Sequence, residues 1–420
     1  MTYSQTLEQI HSQGRFSKTT GLHRIKRLLE LLGNPQKKLR FVHIAGTNGK
    51  GSTTAMIAAA LTASGKKAGK FISPYVIEFR ERMQIDGEYI PQESLVQLLE
   101  NILPFLRQTE RELDDRVNEF ELTTALALCW FAQEGCDVVA LEVGLGGRGD
   151  ATNIIDCPLV SVISTIDFDH TQVLGNTLTQ IAEEKCGIIK RGGVTVVNPS
   201  QPPEALEIIR RHCREKENRM VHPSLEGLKV EELSLHRTRF TYEGQSWQLS
   251  LLGEYQLANA VTAIAVCREL ALPQEAVVQG LAGAFIPARM EVISHAPLVL
   301  LDGAHNLSGA RALAGALKSL GCGQVTAITG MLREKDWEHT LETLLPYCRQ
   351  VIALTPDSPR ALEGEELAAW VQSRGCPAQV AISCKDAYEQ ALAEGHGEEP
   401  LLIFGSLYLA ADMRREILRR

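Results

Sequence analysis

Three glycines and a lysine stand within six residues of one another in the run Gly46-Thr47-Asn48-Gly49-Lys50-Gly51-Ser52. Glycines let the backbone bend and turn its N–H groups inward, and a lysine adds a point charge. This spacing therefore reads as a cradle for phosphate oxygens. Ser52 or Thr53 can offer a hydroxyl to Mg²⁺. The standard Walker spacing asks for glycine six positions before the lysine, and Ile44 stands there. A tight strand-to-helix turn is the plainer reading of a lone glycine. Gly-Lys-Gly-Ser ahead of an Ala-rich run favours the phosphate loop.

Further chemistry-bearing residues recur at similar junctions. Ser73-Pro74, Glu142 with Gly144-Leu145-Gly146-Gly147-Arg148, and Asp167-Phe168-Asp169-His170 each follow an apolar run. Ser, Glu and His around a nucleotide make a Mg²⁺ shell once phosphate oxygens and water complete it, although histidine is unusual for that ion. Taken singly, Glu142 also reads as a satisfied acid beside a Gly-rich turn, and His170 as a capped loop histidine. Lys185 near a helix end reads as a solvated or dipole-pairing side chain. Glu183 and Glu184 are adjacent and so do not share a helix face. Asp302-Gly303-Ala304-His305-Asn306 suits a ribose or an amino acid, and equally an Asn-closed turn.

The elements that must position these residues follow from patterning. Val- and Ile-rich runs at 41–45, 68–72, 137–143, 159–165 and 194–198 alternate with helical stretches, the pattern of a doubly wound parallel sheet. An amphipathic helix is expected over about 20–33, closed by Gly33. Residues 226–252 alternate polar and apolar and are expected to form flanking antiparallel strands, before a helix from Gln256 to Leu270. A break is expected from Phe285 to Pro297, a linker able to hinge about a ligand cleft. Strands then restart at 298–301, 325–329, 350–354, 378–383 and 401–404. The fold class is α/β: a P-loop-type doubly wound parallel sheet with a second, smaller Rossmann-like α/β domain. Ligands gather at the carboxyl ends of such strands.

The chain's 420 residues call for two domains. A net charge of −8 argues against coating nucleic acid. Arg15, Lys18, His23, Arg24, Arg80, Arg82 and Arg148 flank the motifs and could gather locally around an anion. The ten cysteines form no Cys-x-x-Cys pair, as expected of reduced thiols. Neither a signal pattern nor a membrane-length apolar run is evident, so a cytoplasmic protein is expected, without membrane partners and monomeric.

Jointly, the phosphate loop, Ser73-Pro74, Glu142–Arg148, Asp150-Ala151-Thr152-Asn153, Asp169-His170-Thr171, Leu174-Gly175, Glu184-Lys185 and Asp302–Asn306 closely resemble the folylpolyglutamate synthase family, over about residues 18–410. Bacterial members are often also dihydrofolate synthases, and the family is related to the Mur ligases. The resemblance implies an ATP-dependent ligase joining L-glutamate to dihydropteroate and to folates. Residues 1–290 would form an ATP- and pteroate-binding domain like the Mur central domain. Residues 297–420 would contribute to the glutamate and nucleotide sites. It further implies that Asn48, Gly49, Lys50, Gly51 and Ser52 hold the triphosphate, and that Ser73, Glu142 and His170 bind Mg²⁺. Lys185 would be carbamylated, and Lys50, His170 and Lys185 would form the catalytic set. Asn259, Arg289 and Asp302 would contact the nucleotide. Lys18, Thr19, Thr20, Gly21, Phe120, Glu121, Leu122, Thr123, Gly149, Asp150 and Ala151 would line the pterin pocket, with His305 and Ser406 at the glutamate.

Three positions depart from the family's usual pattern: Tyr75 after Ser-Pro where His is common, Cys186 for Ala, and Leu307 for Pro. The first leaves fine specificity open. Alternatives are a monofunctional folylpolyglutamate synthase and a Mur peptide ligase. The latter is disfavoured because only 45 residues precede Gly46, too few for a UDP-sugar domain. A nucleotide-switch protein would need a guanine-reading Asn-Lys-x-Asp, and none is present.

Overall fold

The computed structural model describes residues 1–14, 18–394 and 399–419, so Arg15 lies outside the described residues. The chain divides into two units, Met1–Glu226 with Ala258–Ala284, and Gly227–Leu257 with Phe285–Arg420.

The first unit is built on eight strands: β1 (Phe41–Ala45), β2 (Ala68–Phe71), β3 (Met83–Ile85), β4 (Glu88–Tyr89), β5 (Val138–Glu142), β6 (Val160–Ile163), β7 (Val194–Val197) and β8 (Arg219–Val221). Their order is β4-β3-β2-β5-β1-β6-β7-β8. From β2 to β8 neighbours run parallel, while β3 and β4 form an antiparallel edge. β1 is buried along its whole length, as a near-continuous apolar run in a parallel sheet should be. Apolar clusters cover both faces. One gathers Leu28, Phe71, Leu126, Phe131 and Leu141. The other gathers Ala45, Ile163, Ile181, Ile188 and Val197. The helices Lys50–Ala63 and Gln274–Gly283 pack together within this unit.

The second unit holds an antiparallel sheet of β9 (Lys229–Leu233), β10 (Thr238–Tyr242) and β11 (Gln245–Leu249). It also holds a six-stranded sheet of β12 (Glu291–His295), β13 (Leu298–Leu301), β14 (Val325–Thr329), β15 (Cys348–Ala353), β16 (Ala378–Val380) and β17 (Leu401–Phe404), in the order β12-β13-β17-β14-β15-β16. All of its pairs are parallel except β12 with β13.

By compactness, residues 227–257 group with the second unit. The reason is packing: Leu252 is buried with Met290 and Leu300, and Leu235 and Tyr255 pack against that cluster. The expected break at 285–297 contains β12, a half-buried edge strand that pairs Glu291 with Leu301.

Candidate active site

Sheet register assembles the first unit's site. Ile44 on β1 stands opposite Glu142 on β5, and Ala45 opposite Ile163 on β6. Gly46, the turn after Glu142, and Ser164 therefore leave the sheet at one edge. The loop that follows is tied down by its own polar groups. Thr47 and Asn48 donate their N–H groups to Thr165 O at 2.8 and 3.2 Å. Thr47 Oγ1 donates to Asp167 O at 2.9 Å and accepts from Asp167 N at 3.1 Å. Gly49 has φ +82°, and a Cβ there would collide with the Asn259 side chain. Only glycine meets both demands without strain. The helix Lys50–Ala63 starts at once, with Ser52 and Thr53 buried in its first turn. Lys50 Nζ folds back onto Gly46 O and Thr47 O at 3.2 and 3.1 Å.

Lys185 ends the helix Leu178–Lys185 and is buried, which corrects the expectation of a solvated side chain. Its Nζ donates to Gly46 O at 2.7 Å, the carbonyl that Lys50 also reaches. Burial, and then the Lys50 charge, push its pKa down to about 7, against the opposing pull of Asp169 and Asp150. The Gly-rich turn makes the burial possible. A Cβ on Gly147 would stand 2.8 Å from Glu184 O and 2.9 Å from Lys185 O, and Arg148 N donates to Glu184 O at 2.8 Å.

Ser73 follows β2 and Glu142 ends β5. The structure brings them into contact, with Ser73 N donating to the buried Glu142 carboxylate at 3.3 Å. Arg82 donates to Ser73 Oγ at 3.2 Å. Lys70 on β2 feels Glu81 and Glu142, yet burial dominates and pushes its pKa down to about 8. His170 opens the short helix Thr171–Leu174 with φ +50°, and its half-exposed ring lies 3.9 Å from Asp169 Oδ2. The Thr47–Asp167 bonds tie the segment that carries it to the phosphate loop.

The residues assigned to the pterin pocket also come together. Arg24 is buried and donates to Asp115 at 2.8 Å, to Glu121 at 3.1 Å and to Thr19 O at 2.8 Å. Thr19 Oγ1 donates to Asp115 at 2.7 Å, and Lys18 N to the same carboxylate at 3.0 Å. This network fastens segment 18–21 to the helix Glu119–Gln133. The Phe120 ring packs on the Gly144 backbone, and Leu122 and Ala151 share one core cluster. Several of these side chains are committed to the fold. Glu121 closes a capping box with Asn118, and Thr123 Oγ1 donates to Glu119 O at 2.7 Å. Asp150 caps the turn at 151–154, accepting Leu145 N at 2.8 Å and Thr152 N at 3.0 Å.

In the second unit, Asp302 follows β13. It accepts Met290 N and Ala304 N, each at 2.8 Å, and burial raises its pKa while Arg289 opposes. Ala288 and Met290, on either side of Arg289, both hold positive φ, +52° and +48°. His305 Nδ1 donates to Gly303 O at 2.8 Å. Asn306 caps the helix Leu307–Ser319, and Ser406 caps Leu407–Leu418. Gly405 N donates to Ala304 O at 3.0 Å, so the two capped ends are neighbours.

Sequence reasoning missed Ser164, Asn198 and Asp115, and gave Asp169 and Arg24 no role of their own. Asn198 Nδ2 donates to Asn259 Oδ1 at 3.4 Å. Of these Asp169 carried a signal in its place beside His170 in a polar run after a strand, and Arg24 in its charge beside the motifs. The rest depend on contacts across long separations.

Known families supply an independent measure. The Mur ligase middle domain matches residues 44–267, and the Mur ligase glutamate ligase domain matches residues 288–407. The chain is 38% identical over 436 residues to the folylpolyglutamate synthase of Lacticaseibacillus casei, covering 100% of this chain and 99% of the relative. It is 34% identical over 433 residues to the dihydrofolate synthase/folylpolyglutamate synthase of Bacillus subtilis (strain 168), covering 99% of each. Among solved structures, Mycobacterium tuberculosis folylpolyglutamate synthase complexed with ADP and AMPPCP superposes with a TM-score of 0.90 at 31% identity, over 100% of this chain and 99% of that one.

Proposed function

The chain belongs to the folylpolyglutamate synthase/dihydrofolate synthase family of Mur ligases, and from that premise we propose how its residues carry out the family's reaction. It is an ATP-dependent ligase that adds L-glutamate to dihydropteroate and to the γ-carboxyl of folates. The observation that carries the residue assignment is the meeting of Lys50 and Lys185 on Gly46 O, at the start of a loop bonded to Thr165 and Asp167 and packed at Gly49 against Asn259.

A carboxylate does not condense with an amine at neutral pH. Transfer of the ATP γ-phosphoryl group to the substrate carboxylate gives an acyl phosphate and ADP. The glutamate amine then attacks the acyl carbon, the C–O bond to phosphate breaks, and an amide and inorganic phosphate result. Loop N–H groups from Asn48 to Ser52 and the Lys50 ammonium offset charge on the phosphoryl oxygens.

Mg²⁺ would be held by Ser73, Glu142 and His170. The buried Glu142 carboxylate and the Ser73 hydroxyl fit an ion that keeps several waters and takes the rest of its shell from phosphate, and the His170 imidazole is the uncommon donor of the set. When bound, the ion would neutralise charge on the transferring group.

Lys185 is the proposed carbamate. With its pKa near 7, much of its amine is neutral and able to attack CO₂, forming an N–C bond and releasing a proton. Arg289, Asp302 and Asn259 are assigned to the nucleotide, and His305 and the helix end that Ser406 caps to L-glutamate. Segments 18–21, 120–123 and 149–151 are assigned to the pterin.

Product analysis with ATP, Mg²⁺, L-glutamate and either dihydropteroate or tetrahydrofolate tests this reading. Amide product with equimolar ADP and phosphate is expected from both acceptors. Product from tetrahydrofolate alone would leave a monofunctional folylpolyglutamate synthase. ADP release that ignores both acceptors would overturn the ligase assignment.

No helix among the described residues is long and apolar enough to cross a membrane.

A further inference from the structure

His43 sits in the middle of β1, three positions before the phosphate loop, with its side chain wholly buried. Burial, with a smaller push from Lys190, brings its pKa down to about 3, so the ring is neutral at working pH. Its Nε2 lies 2.9 Å from Thr152 Oγ1, itself wholly buried. Thr152 Oγ1 in turn donates to Asp150 Oδ1 at 2.6 Å. A hydroxyl has one proton to give, and Asp150 already takes it. The proton between His43 and Thr152 must therefore sit on Nε2, which leaves Nδ1 bare. Among the described residues His43 Nδ1 has no hydrogen-bond partner. A buried lone pair of this kind carries a desolvation cost that an apolar residue at position 43 would avoid.

The chain continues past Asp150. The same carboxylate accepts Leu145 N at 2.8 Å and Thr152 N at 3.0 Å, and the backbone of Gly144 also bonds to it. Leu145 and Gly144 open the turn that sets Gly147 against Glu184 O and Lys185 O.

We propose that His43 and Thr152 are positioning residues that link the strand feeding the phosphate loop to the Asp150 carboxylate, and so fix that carboxylate and its turn for the pteridine end of the acceptor. Neither side chain touches substrate; both act through Asp150. The inference rests on the proposed assignment of residues 149–151 to the pterin.

The test is a kinetic split. Thr152→Val keeps the shape and removes the hydroxyl. It is expected to raise KM for dihydropteroate about tenfold while KM for ATP changes less than about twofold, a loss of the size given by one buried hydrogen bond. Thr152→Ser should restore the wild-type KM. His43→Phe should raise the same KM, and the His43→Phe/Thr152→Val pair should be no worse than Thr152→Val alone, because the two act in series. Equal rises in both KM values, additive effects in the pair, or an unchanged dihydropteroate KM in folded Thr152→Val would overturn the proposal. Thermal melting of each variant identifies any that fails to fold, and Thr152→Ser then carries the test: a tight-binding Ser variant supports the link, a weak one removes it. A wild-type enzyme that does not use dihydropteroate would instead bring down the pterin assignment itself.

Discussion

The carboxyl ends of the two parallel sheets are furnished by different means. In the first unit, ionisable side chains are buried near one another: Lys185 and Lys50 share one carbonyl, Lys70 feels Glu142, and Asp150 is enclosed. Fields there are strong because water is excluded. In the second unit, polar side chains at the strand ends are bonded to their own backbone. Asp302 accepts two N–H groups, and Asn306 and Ser406 each cap a helix. The same α/β geometry thus serves one end as a place to shift charge and the other as a frame that holds loops in shape. Substitutions should separate the two. Those at the first end should cost rate, and those at the second should cost stability or binding.

Lys50→Ala is the largest expected break. If Lys50 offsets phosphoryl charge as proposed, its removal should lower kcat about a hundredfold or more, with little change in melting temperature. Steady-state kinetics on the folded variant decide it. A near-normal kcat would make the first end a frame like the second.

Lys185→Ala should follow closely and be nearly inactive, with partial recovery in added acetate, which can occupy the vacated anion position. The pH dependence has a definite sign. The folded pKa lies below the unfolded one, so the penalty for burying this lysine is complete below about pH 7. It fades as pH rises towards the ordinary lysine value near 10.5. Carbamate formation, which needs the neutral amine, should rise between about pH 6 and about pH 8. A ¹³C resonance from labelled bicarbonate, present in wild type and missing in Lys185→Ala, measures it. Full activity in Lys185→Ala would exclude the carbamate.

The comparison also explains what could be read before the structure. β1, β13, β14 and β17 occupy the residues the apolar runs marked, because buried parallel strands are continuous in Val, Ile and Leu. The tight turn between β1 and the helix Lys50–Ala63 was legible from residue type, since Gly46 and Gly49 supply the positive φ it needs. Lys185 was not. A lysine at a helix end is ordinarily solvated, and its burial arises from Gly147 and Gly46, nearly forty and nearly one hundred and forty residues away. The grouping of 227–257 with the second unit was hidden for the same reason, as Leu252 meets Met290 and Leu300 only in the folded chain. The strands β3, β4 and β8 were missed because each is only two or three residues long, and β12 because its polar residues break any apolar run.

Glu142→Gln should have a smaller effect that magnesium can offset. The amide keeps the shape but loses the charge, so the Mg²⁺ concentration for half-maximal rate should rise severalfold while saturating Mg²⁺ restores much of kcat. An unchanged Mg²⁺ titration would remove Glu142 from the metal shell and weaken the view of the first end as a charge site.

Ser406→Ala is the smallest expected change and the sharpest probe of the second end. Ser406 Oγ accepts Leu409 N at 3.1 Å, and the side chain is buried at the start of Leu407–Leu418. Losing a serine N-cap costs about 1 kcal/mol, which lowers the melting temperature by a few degrees in a domain of this size. Ser406→Asp and Ser406→Thr keep an acceptor at the cap and should recover that loss. If the hydroxyl serves only the helix, KM for L-glutamate should follow the cap: raised modestly in Ser406→Ala, near normal in Ser406→Thr. A glutamate KM raised more than about tenfold in Ser406→Ala at unchanged melting temperature would mean that the hydroxyl meets the substrate. The contrast between the two sheet ends would then be one of degree, with side-chain chemistry at both.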